Sequence, residues 1–228
     1  MCTAISPIGK IENDFKEKFG IPRQSGRAKS VLSRIVFFPE YQTKDAFRGI
    51  EQFSHLWIIF DFSLARSKGF SPLVRPPRLG GNEKVGVFAS RSPFRPNNLG
   101  LSSVKLEKVV FDDDQGVSLI VSGADILDGT PIYDVKPYIP FSDSHPDAKY
   151  GYSEENRDHN LNVIFPEELS SLLPKEKLMP IIECLAEDPR PSYHDDGRTY
   201  GMTHGDYNIT FTVNGKDLTV LNVQKTPK

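Results

Sequence analysis

The sequence predicts a mainly β protein, in which a β-barrel-like main domain precedes a small α+β C-terminal domain. Seven short segments rich in β-branched and aromatic residues fill residues 1–140, and each is bounded by Gly, Pro, Asn or Asp. After residue 140 the character changes, because a polar stretch is followed by a helical pattern. Residues 205–224 then read as a hairpin, with Asn214-Gly215 as a strong type I′ turn signal.

The seven predicted strands are regularly spaced, which is typical of a β-barrel or sandwich. In chain order they are AISPIGKI, SVLSRIVFF, HLWIIFDF, KVGVFAS, SSVKLEKVVF, GVSLIVSGADI and PIYDVKPY. HLWIIFDF is apolar on both faces, as expected of a central strand, whereas SSVKLEKVVF alternates like a half-exposed one. One short helix is expected over residues 44–53, where Ala46, Phe47, Ile50 and Phe53 recur at helical spacing.

The C-terminal part begins with a polar excursion over residues 141–160. A helical pattern follows over residues 166–186, and Pro174 and Pro180 are expected to break or kink it, so two short helices are an equal alternative. The chain therefore divides into a main domain over residues 1–140 and a linker with a small α+β domain over residues 141–228.

Composition indicates a globular protein of the cytoplasm. The 228 residues are 38% hydrophobic with a mean hydropathy of -0.39, and no apolar run approaches the roughly 18 residues that span a bilayer. The first residues, MCTAISPIGK, lack the apolar core and cleavage site of a signal peptide. Cys2 and Cys184 stand far apart, which fits reduced thiols better than a disulfide.

The net charge of -2 hides a strong asymmetry. Residues 1–110 hold 18 Lys and Arg against 9 Asp and Glu, a balance of +9, whereas residues 111–228 hold 10 against 21, a balance of -11. A basic half is typical of proteins that bind polyanions such as RNA, because phosphate contacts supply most non-specific affinity. A dipolar or self-associating protein is the alternative.

The stretch RSPFRPNNLG, residues 91–100, mounts two cations on a stiff backbone, since Pro93 and Pro96 fix the path of the chain past Arg91 and Arg95. Four further arginines stand in Pro- or Gly-defined segments, namely Arg23, Arg27, Arg75 and Arg78. Guanidinium groups held in this way favour bidentate recognition of carboxylate or phosphate. We therefore predict an anion-binding site.

Other site types have no signature. The Leu79-Gly80-Gly81-Asn82 turn lacks the pattern of a Rossmann or phosphate loop, and no G-x-S-x-G nucleophile elbow is present. The five histidines show no metal-ligand spacing, so we expect no metal site.

The segment LDGTPIYDVKPYIP, residues 127–140, combines a tight turn with a polar strand. Asp134, Lys136 and Tyr138 alternate on one face of this strand, and Tyr133 and Val135 are expected on the other. A plain hairpin connection is the structural alternative.

Five segments of the sequence carry a resemblance to a known family. In chain order they are FGIPRQSG, RGIEQFSHLWIIFDF, VRPPRLGGNEKVGVFASRSPFRPNNLGLS, LDGTPIYDVKPYIP and AEDPRPSY. Together they resemble the bacterial TrmO family of tRNA methyltransferases over nearly the whole chain. The resemblance implies an S-adenosylmethionine-dependent enzyme that methylates N6 of N6-threonylcarbamoyladenosine beside the anticodon of threonine tRNA. It also implies a β-barrel unlike the Rossmann methyltransferases, and a homodimer with the active site near the subunit interface.

The family motifs imply a set of cofactor-binding residues: Gln24, Ser25, Gly26, Ser63, Leu64, Arg91, Leu101, Asp128, Gly129, Thr130 and Pro131. At Ser63 a histidine is expected in the family, so only a backbone contact carries over there. Asn98 stands where proline is more frequent, and this departure is expected to loosen the turn.

Methyl transfer chiefly requires alignment of N6 with the methyl donor and exclusion of water. The urea-like nitrogen is a poor nucleophile, so a proton acceptor would help, and Asp134 and Tyr138 are the catalytic candidates. Arg91 or Arg95 is expected to pair with the carboxylate of the cofactor or of the threonyl group, and Arg27, Arg75 and Arg78 with tRNA phosphates. The alternatives are a non-catalytic RNA-binding β-barrel and a small-molecule methyltransferase.

Overall fold

The computed structural model describes residues 4–76, 83–112, 114, 116–156, 160–191 and 196–226. The strands of its first half are β1 (Gly9–Glu12), β2 (Leu32–Phe37), β3 (His55–Asp61), β4 (Leu73–Val74), β5 (Val85–Gly86), β6 (Leu99–Asp112), β7 (Gly116–Ser122) and β8 (Pro131–Pro137). Six of these described strands close into an antiparallel barrel in the order β1-β2-β7-β6-β3-β8. The predicted fold class is confirmed.

The barrel closes around side chains that point inward at every second residue of its strands, and most of these side chains are apolar. On β3, Leu56 and Ile58 are fully buried while Trp57 and Ile59 between them keep some exposure. Ile11, Ile35, Leu119 and Ile132 complete the same core from the other strands.

The antiparallel order brings three long connections to one end of the barrel. They are residues 13–31 between β1 and β2, residues 62–98 between β3 and β6, and residues 123–130 between β7 and β8. We call this the loop end. The opposite end carries residues 38–54, the β6–β7 turn and the chain that leaves β8.

Two predicted elements of the first half are wrong. KVGVFAS forms only the two-residue strand β5 and then a 3-10 turn at Val87–Ala89. Residues 44–53 form two 3-10 turns, Lys44–Phe47 and Ile50–Gln52, instead of one helix. Gly49 separates these turns with a φ of 89°, a left-handed conformation that interrupts a right-handed helix.

The second half begins with α1 (Pro140–Asp143) and a 3-10 turn at Gly151–Asn156. There follow β9 (Asn162–Ile164), α2 (Glu167–Ser170), α3 (Lys175–Ala186), β10 (Thr199–His204), β11 (Tyr207–Asn214) and β12 (Asp217–Lys225). The four strands form one sheet in the order β10-β11-β12-β9, in which β9 runs parallel to β12. The predicted α+β character of this part is confirmed.

The helical stretch forms two separate helices, α2 and α3, which is one of the two alternatives predicted. The break falls at Pro174, which is the N-cap of α3, whereas α3 continues through Pro180. The predicted hairpin is also present, but its two-residue turn is Gly215-Lys216, with Asn214 still paired to Asp217. Gly215 has a φ of 61°, so glycine takes the first turn position, as in a type II′ turn.

The sheet and α3 enclose a second core around Ile181, Leu185, Ile209 and Phe211. Residues of the β1–β2 connection complete this core, so the connection contacts both halves of the molecule. None of the helices in the described ranges combines the length and apolar character that a membrane span requires.

Candidate active site

The loop end collects most of the predicted site residues, although they are far apart in sequence. Residues 24–26 lie on the first connection and residues 128–130 on the third. Leu101 lies near the start of β6 and Pro131 at the start of β8, and both of these strands start at the loop end. The second connection carries Ser63, Leu64, Arg75, Arg91 and Arg95. Arg78 lies outside the described residues, as does the turn at residues 79–82.

The tip formed by Gln24, Ser25 and Gly26 is fastened to the end of β7 and to the second connection. The Gly26 N–H donates to the Gly123 carbonyl at 2.8 Å, and the Arg91 guanidinium donates to Gln24 Oε1 at 2.6 Å. Gly26 has a φ of 77°, and nothing lies within 4 Å of where a Cβ would stand. One side of the tip therefore leaves room for a ligand against the backbone.

Asp125 connects this tip to the barrel wall, and sequence reasoning missed it. Its carboxylate accepts a 2.5 Å hydrogen bond from Ser102 Oγ and another from the Ser25 N–H. Burial raises the pKa of Asp125, while these two hydrogen bonds and the charge of Arg91 act in the opposite direction. The available signal was Ser102 itself, a polar residue at an inward-facing position of an alternating strand.

The turn at residues 128–131 is anchored by its acidic residue. Asp128 accepts a hydrogen bond from the Asn13 N–H at 2.8 Å and forms a 2.7 Å ion pair with Lys16. Gly129 is exposed with a φ of 72°, and Thr130 is buried. The Asp128 side chain thus fixes the turn, and the exposed part of the turn is backbone.

Two exposed leucines add apolar surface at the loop end. Leu64, in the 3-10 helix Ser63–Lys68 that follows β3, is 55% exposed, and Leu101 is 54% exposed. Arg66 holds this helix in place, because it pairs with buried Asp61 at 2.5 Å and donates to the Tyr133 hydroxyl at 2.6 Å. Each of the two leucine side chains offers an apolar contact at the loop end to a ligand or a partner.

The two catalytic candidates lie in different places. Asp134 pairs with Ile59 across β8 and β3, and Ile59 pairs with Leu101 across β3 and β6, so Asp134 lies in the same row as Leu101. Its carboxylate forms a 2.8 Å ion pair with Lys136. Tyr138 follows the other end of β8, where its ring packs 5.5 Å from that of Trp57, so the structure does not bring it to the loop end.

The predicted alternation along β8 is wrong at Tyr133. The register shifts between Ile59 and Phe60, which leaves Tyr133 as an extra residue in β8. Ile132 and Val135 therefore both face the barrel core, and Tyr133 extends outward to Arg66.

Arg95 and Asn98 shape the turn of RSPFRPNNLG from within. Arg95 Nη1 donates to the carbonyls of Val87 at 3.0 Å and Ser90 at 2.7 Å, and its guanidinium lies 5.5 Å from the Phe88 ring. The Asn98 amide donates to the Pro93 carbonyl at 2.6 Å. The expectation that Asn98 loosens the turn is therefore wrong, because its side chain closes the turn with a hydrogen bond that proline cannot make.

The remaining arginines differ in exposure. Arg75 is exposed on the second connection. Arg27 donates to Glu187 Oε1 at 2.8 Å and to Asn160 Oδ1 at 3.0 Å, which directs its charge toward the C-terminal domain. Among the described residues, no three His, Cys, Asp or Glu side chains lie close enough to hold a metal ion.

Comparison with known families covers both halves of the chain. The model of the tRNA-methyltransferase O N-terminal domain matches residues 10–144, and that of the TrmO C-terminal domain matches residues 158–226. The chain belongs to the TrmO family. Within that family, the N-terminal match contains the barrel and the C-terminal match contains the four-stranded sheet.

Individual TrmO-family relatives are similar over nearly the full length. A tRNA (adenine(37)-N6)-methyltransferase of Escherichia coli K12 is 45% identical over 215 residues, which cover 90% of this chain and 91% of that protein. A protein of Pseudomonas aeruginosa PAO1 named putative S-adenosylmethionine-dependent methyltransferase RcsF is 38% identical over 228 residues, with 92% of each chain covered. A crystal structure of TrmO matches with a TM-score of 0.79 and 35% identity, covering 98% of this chain and 99% of that one.

Proposed function

We propose that this TrmO-family protein transfers a methyl group from S-adenosyl-L-methionine to N6 of N6-threonylcarbamoyladenosine at position 37 of threonine tRNA. The observation that carries the proposal is the joined cluster of the tip, Arg91, Asp125 and Ser102 at the loop end. The names of the relatives support a tRNA adenine substrate and this cofactor. We also propose a cytoplasmic location, because the proposed substrate is a tRNA.

The residues of the loop end fit an amphipathic cofactor. Gly26 and Gly129 leave open space where a side chain would stand, so a ligand has access to backbone there. Leu64 and Leu101 offer exposed apolar surface for the adenosine part, and the exposed Arg91 offers bidentate donors for a carboxylate. When bound, S-adenosyl-L-methionine supplies a methyl group on a positively charged sulfur.

The chain itself contributes chiefly position. The three connections hold the cofactor residues against a closed barrel, and fixed alignment of the reacting groups supplies a large part of the rate of a bimolecular reaction. We propose Asp134 as the acceptor of the N6 proton, because it lies in the row of Leu101, whereas Tyr138 would reach a site only at the opposite end of the barrel.

Substrate binding is proposed to use arginines of the second connection. Arg75 is exposed, and with Arg78, which lies outside the described residues, it is proposed to contact tRNA phosphates. Arg95 is proposed to lie beside the threonylcarbamoyl group while it holds the turn at Val87 and Ser90.

A homodimer is also proposed. Exposed large apolar side chains are concentrated between residues 62 and 101. Apart from Leu64 and Leu101, which are assigned to the cofactor, they are Phe70, Leu73, Phe88 and Leu99, with Phe88 73% exposed. A second copy that covers this segment would remove the surface from water beside the cofactor site. Light scattering should give a dimer mass, and a monomer at working concentration would contradict the proposal.

The deciding experiment is mass spectrometry of nucleosides from threonine tRNA that carries threonylcarbamoyladenosine, after incubation with protein and S-adenosyl-L-methionine. We expect a gain of one methyl group on that nucleoside, and none in the matched reaction with unmodified tRNA. Methylation of neither substrate would reject the function.

Two further measurements separate the alternatives. Salt-sensitive RNA binding without calorimetric binding of S-adenosyl-L-methionine would favour a non-catalytic RNA-binding barrel. Methylation of a small molecule that is unaffected by Arg75→Ala would favour a small-molecule methyltransferase.

A further inference from the structure

The connection between β1 and β2 is built into the core of the C-terminal domain. Phe15, Ala28 and Val31 are 2%, 1% and 1% exposed, and they pack with Ile181, Leu185 and the sheet. Phe19 and Ile21 pack against the same core. The two flanks of this connection are therefore packed into the C-terminal core, although both ends of the connection join barrel strands and the Phe15 and Val31 carbonyls accept hydrogen bonds from Asp128 and Gly123 of the barrel domain.

Polar contacts hold the same flanks to α3 and to the chain that follows it. Arg27 pairs with Glu187 at 2.8 Å, and Ser30 donates twice to Glu183, from its N–H at 2.7 Å and from its hydroxyl at 3.0 Å. On the other side of the tip, Arg23 donates to the Arg190 carbonyl at 2.9 Å.

The tip between these flanks contacts the barrel domain through all three of its residues. Gly26 bonds to Gly123, Ser25 to Asp125 and Gln24 to Arg91. The tip residues are thus held at the loop end of one domain by flanks that are fixed to the other.

The acidic residues of α3 are unfavourably placed for the helix alone. Glu183 lies in its last turn and Glu187 at its C-cap, and this fully described helix has no basic residue in its last turn. A helix C-terminus carries partial negative charge, so carboxylates there are destabilising. The Glu187 side chain is moreover only 7% exposed. The contacts to Arg27 and Ser30 offset the unfavourable charge at the helix end and the burial of Glu187. These carboxylates therefore stabilise the β1–β2 connection and not the helix itself.

We propose that the C-terminal domain sets the cofactor affinity of the barrel, with Glu183 and Glu187 as positioning residues for the tip. This inference rests on the proposed function, in which residues 24–26 bind S-adenosyl-L-methionine. Loss of either carboxylate lowers the fraction of molecules whose tip is correctly placed. The apparent dissociation constant rises in inverse proportion to that fraction.

The test uses full-length Glu187→Gln and Glu183→Gln, which keep side-chain size and remove the charge. Calorimetry should show a dissociation constant for S-adenosyl-L-methionine raised about tenfold, as expected if one molecule in about ten keeps the tip in place. KM for the cofactor should rise in parallel, while kcat at saturating cofactor stays close to wild type. A purely structural role would instead reduce the active fraction and kcat.

Asp217→Asn is the matched control. It removes a carboxylate whose 2.9 Å hydrogen bond from Asn162 joins β12 to β9 within the C-terminal sheet, so cofactor affinity should be unchanged. The double variant Arg27→Glu with Glu187→Arg restores an ion pair and should recover part of the affinity. Unchanged affinity in both Gln variants, with normal binding by wild type, overturns the proposal.

Two further measurements cover the cases in which the Gln variants do not fold or wild type does not bind. If a Gln variant does not fold, Ser30→Ala removes only one hydroxyl contact and should give a smaller loss of cofactor affinity in the same direction. If wild type itself does not bind the cofactor, the proposed function fails. The positioning role then stands or falls on whether amides 23–30 exchange faster in Glu187→Gln while those of β3 and β6 do not.

Discussion

Arg91 is the exposed cation that ties the second connection to the tip. Its 2.6 Å hydrogen bond to Gln24 leaves the planar guanidinium with further donors, and such a fork matches a carboxylate in a way that an ammonium group does not. Arg91→Lys keeps the positive charge and loses the planar set of N–H donors that can bind both oxygens of a carboxylate. We expect the calorimetric affinity for S-adenosyl-L-methionine to fall roughly tenfold, the loss of about one charge-assisted hydrogen bond.

Arg48→Lys is the control for that substitution. Arg48 pairs with Asp45 at the opposite end of the barrel, and both side chains are 83% exposed. Cofactor affinity should not change in this variant. Equal affinities of Arg91→Lys and wild type would show that Arg91 does not contact the carboxylate.

Asp125 is a half-buried carboxyl, and the burial it does have disfavours its ionised form. Because burial raises its pKa, the folded protein binds the proton more tightly than the unfolded chain does. Its contribution to stability is therefore fully present below the unfolded value of about 3.9 and is lost as the pH rises through the folded pKa. Asp125→Asn should raise the free energy of unfolding at pH 7 relative to wild type, and the gain should shrink near pH 4.

The same variant should bind the cofactor more weakly, because Asn offers one acceptor oxygen where the carboxylate serves both Ser102 and Ser25. Denaturant unfolding at the two pH values and calorimetry measure the two effects. A variant that is less stable at pH 7 and unchanged in affinity would contradict this account of Asp125.

At the scale of elements, the end of β7 is where the tip meets the barrel. A Cβ on Gly123 would lie 3.2 Å from Gly26 Cα, and its φ of 75° is unfavourable for any other residue. Gly123→Ala should therefore displace the Gly26 backbone by a few tenths of an ångström and weaken cofactor binding about tenfold, which is about 1.4 kcal/mol. The left-handed strain of about 1–2 kcal/mol lowers the stability of the fold instead. Calorimetry with the cofactor measures the loss.

Gly215→Ala separates strain from crowding. Gly215 has a φ of 61° in the β11–β12 turn, with nothing within 4 Å of a Cβ. It should lower the melting temperature to a similar degree and leave cofactor affinity unchanged. If both variants bind normally, the contact between Gly26 and Gly123 does not position the tip.

The elements that the sequence predicted correctly are those with a strong local pattern. The continuous apolar run of HLWIIFDF is enough for β3, the alternation of SSVKLEKVVF is enough for β6, and Pro174 is enough to begin α3. The failures have non-local or single-residue causes. Gly49 interrupts a helical pattern, and the bulge at Tyr133 depends on how β3 pairs with β8, which no local spacing reveals. β9 and β10 went unpredicted, since β9 is only three residues long and exists through its pairing with β12.

The site was predictable only in part for the same reason. Residues 24–26, Arg91 and residues 128–131 came from family motifs, and topology brings them to one end of the barrel. Asp125 was missed because it lies on the third connection and its partner, Ser102, lies on β6, 23 positions away in the sequence. Arg27 was assigned to tRNA because a sequence does not show a contact with Glu187, 160 positions away.

At the scale of the whole molecule, His204 is buried where the two domains meet. It is 1% exposed, its ring lies edge-on to Phe15 at 5.7 Å, and Asp14 and Lys177 lie around it. Burial lowers the pKa of His204 from 6.5 to about 4, an effect that Asp14 opposes and Lys177 reinforces. The unfolded chain thus binds a proton between these values that the folded protein does not.

Stability must therefore fall as the pH drops from 6.5 toward 4, by about 3 kcal/mol for a shift of this size. His204→Gln cannot titrate and should lose less stability over that interval than wild type. Denaturant unfolding at pH 7, 5.5 and 4 gives both slopes. Parallel curves for the two proteins would show that His204 does not carry this pH dependence.

The burial of Phe15, Ala28 and Val31 in the second core also sets an order of events during synthesis. These side chains leave the ribosome long before α3 and β11, and at about 5–20 residues per second the delay is roughly 10–30 s. The barrel strands can pair in that interval, but the first connection has no surface on which to settle. A nascent chain that has completed its barrel is therefore expected to expose Phe15 still, and, if the proposed positioning role holds, to reach full affinity for the cofactor only when its last strands have formed.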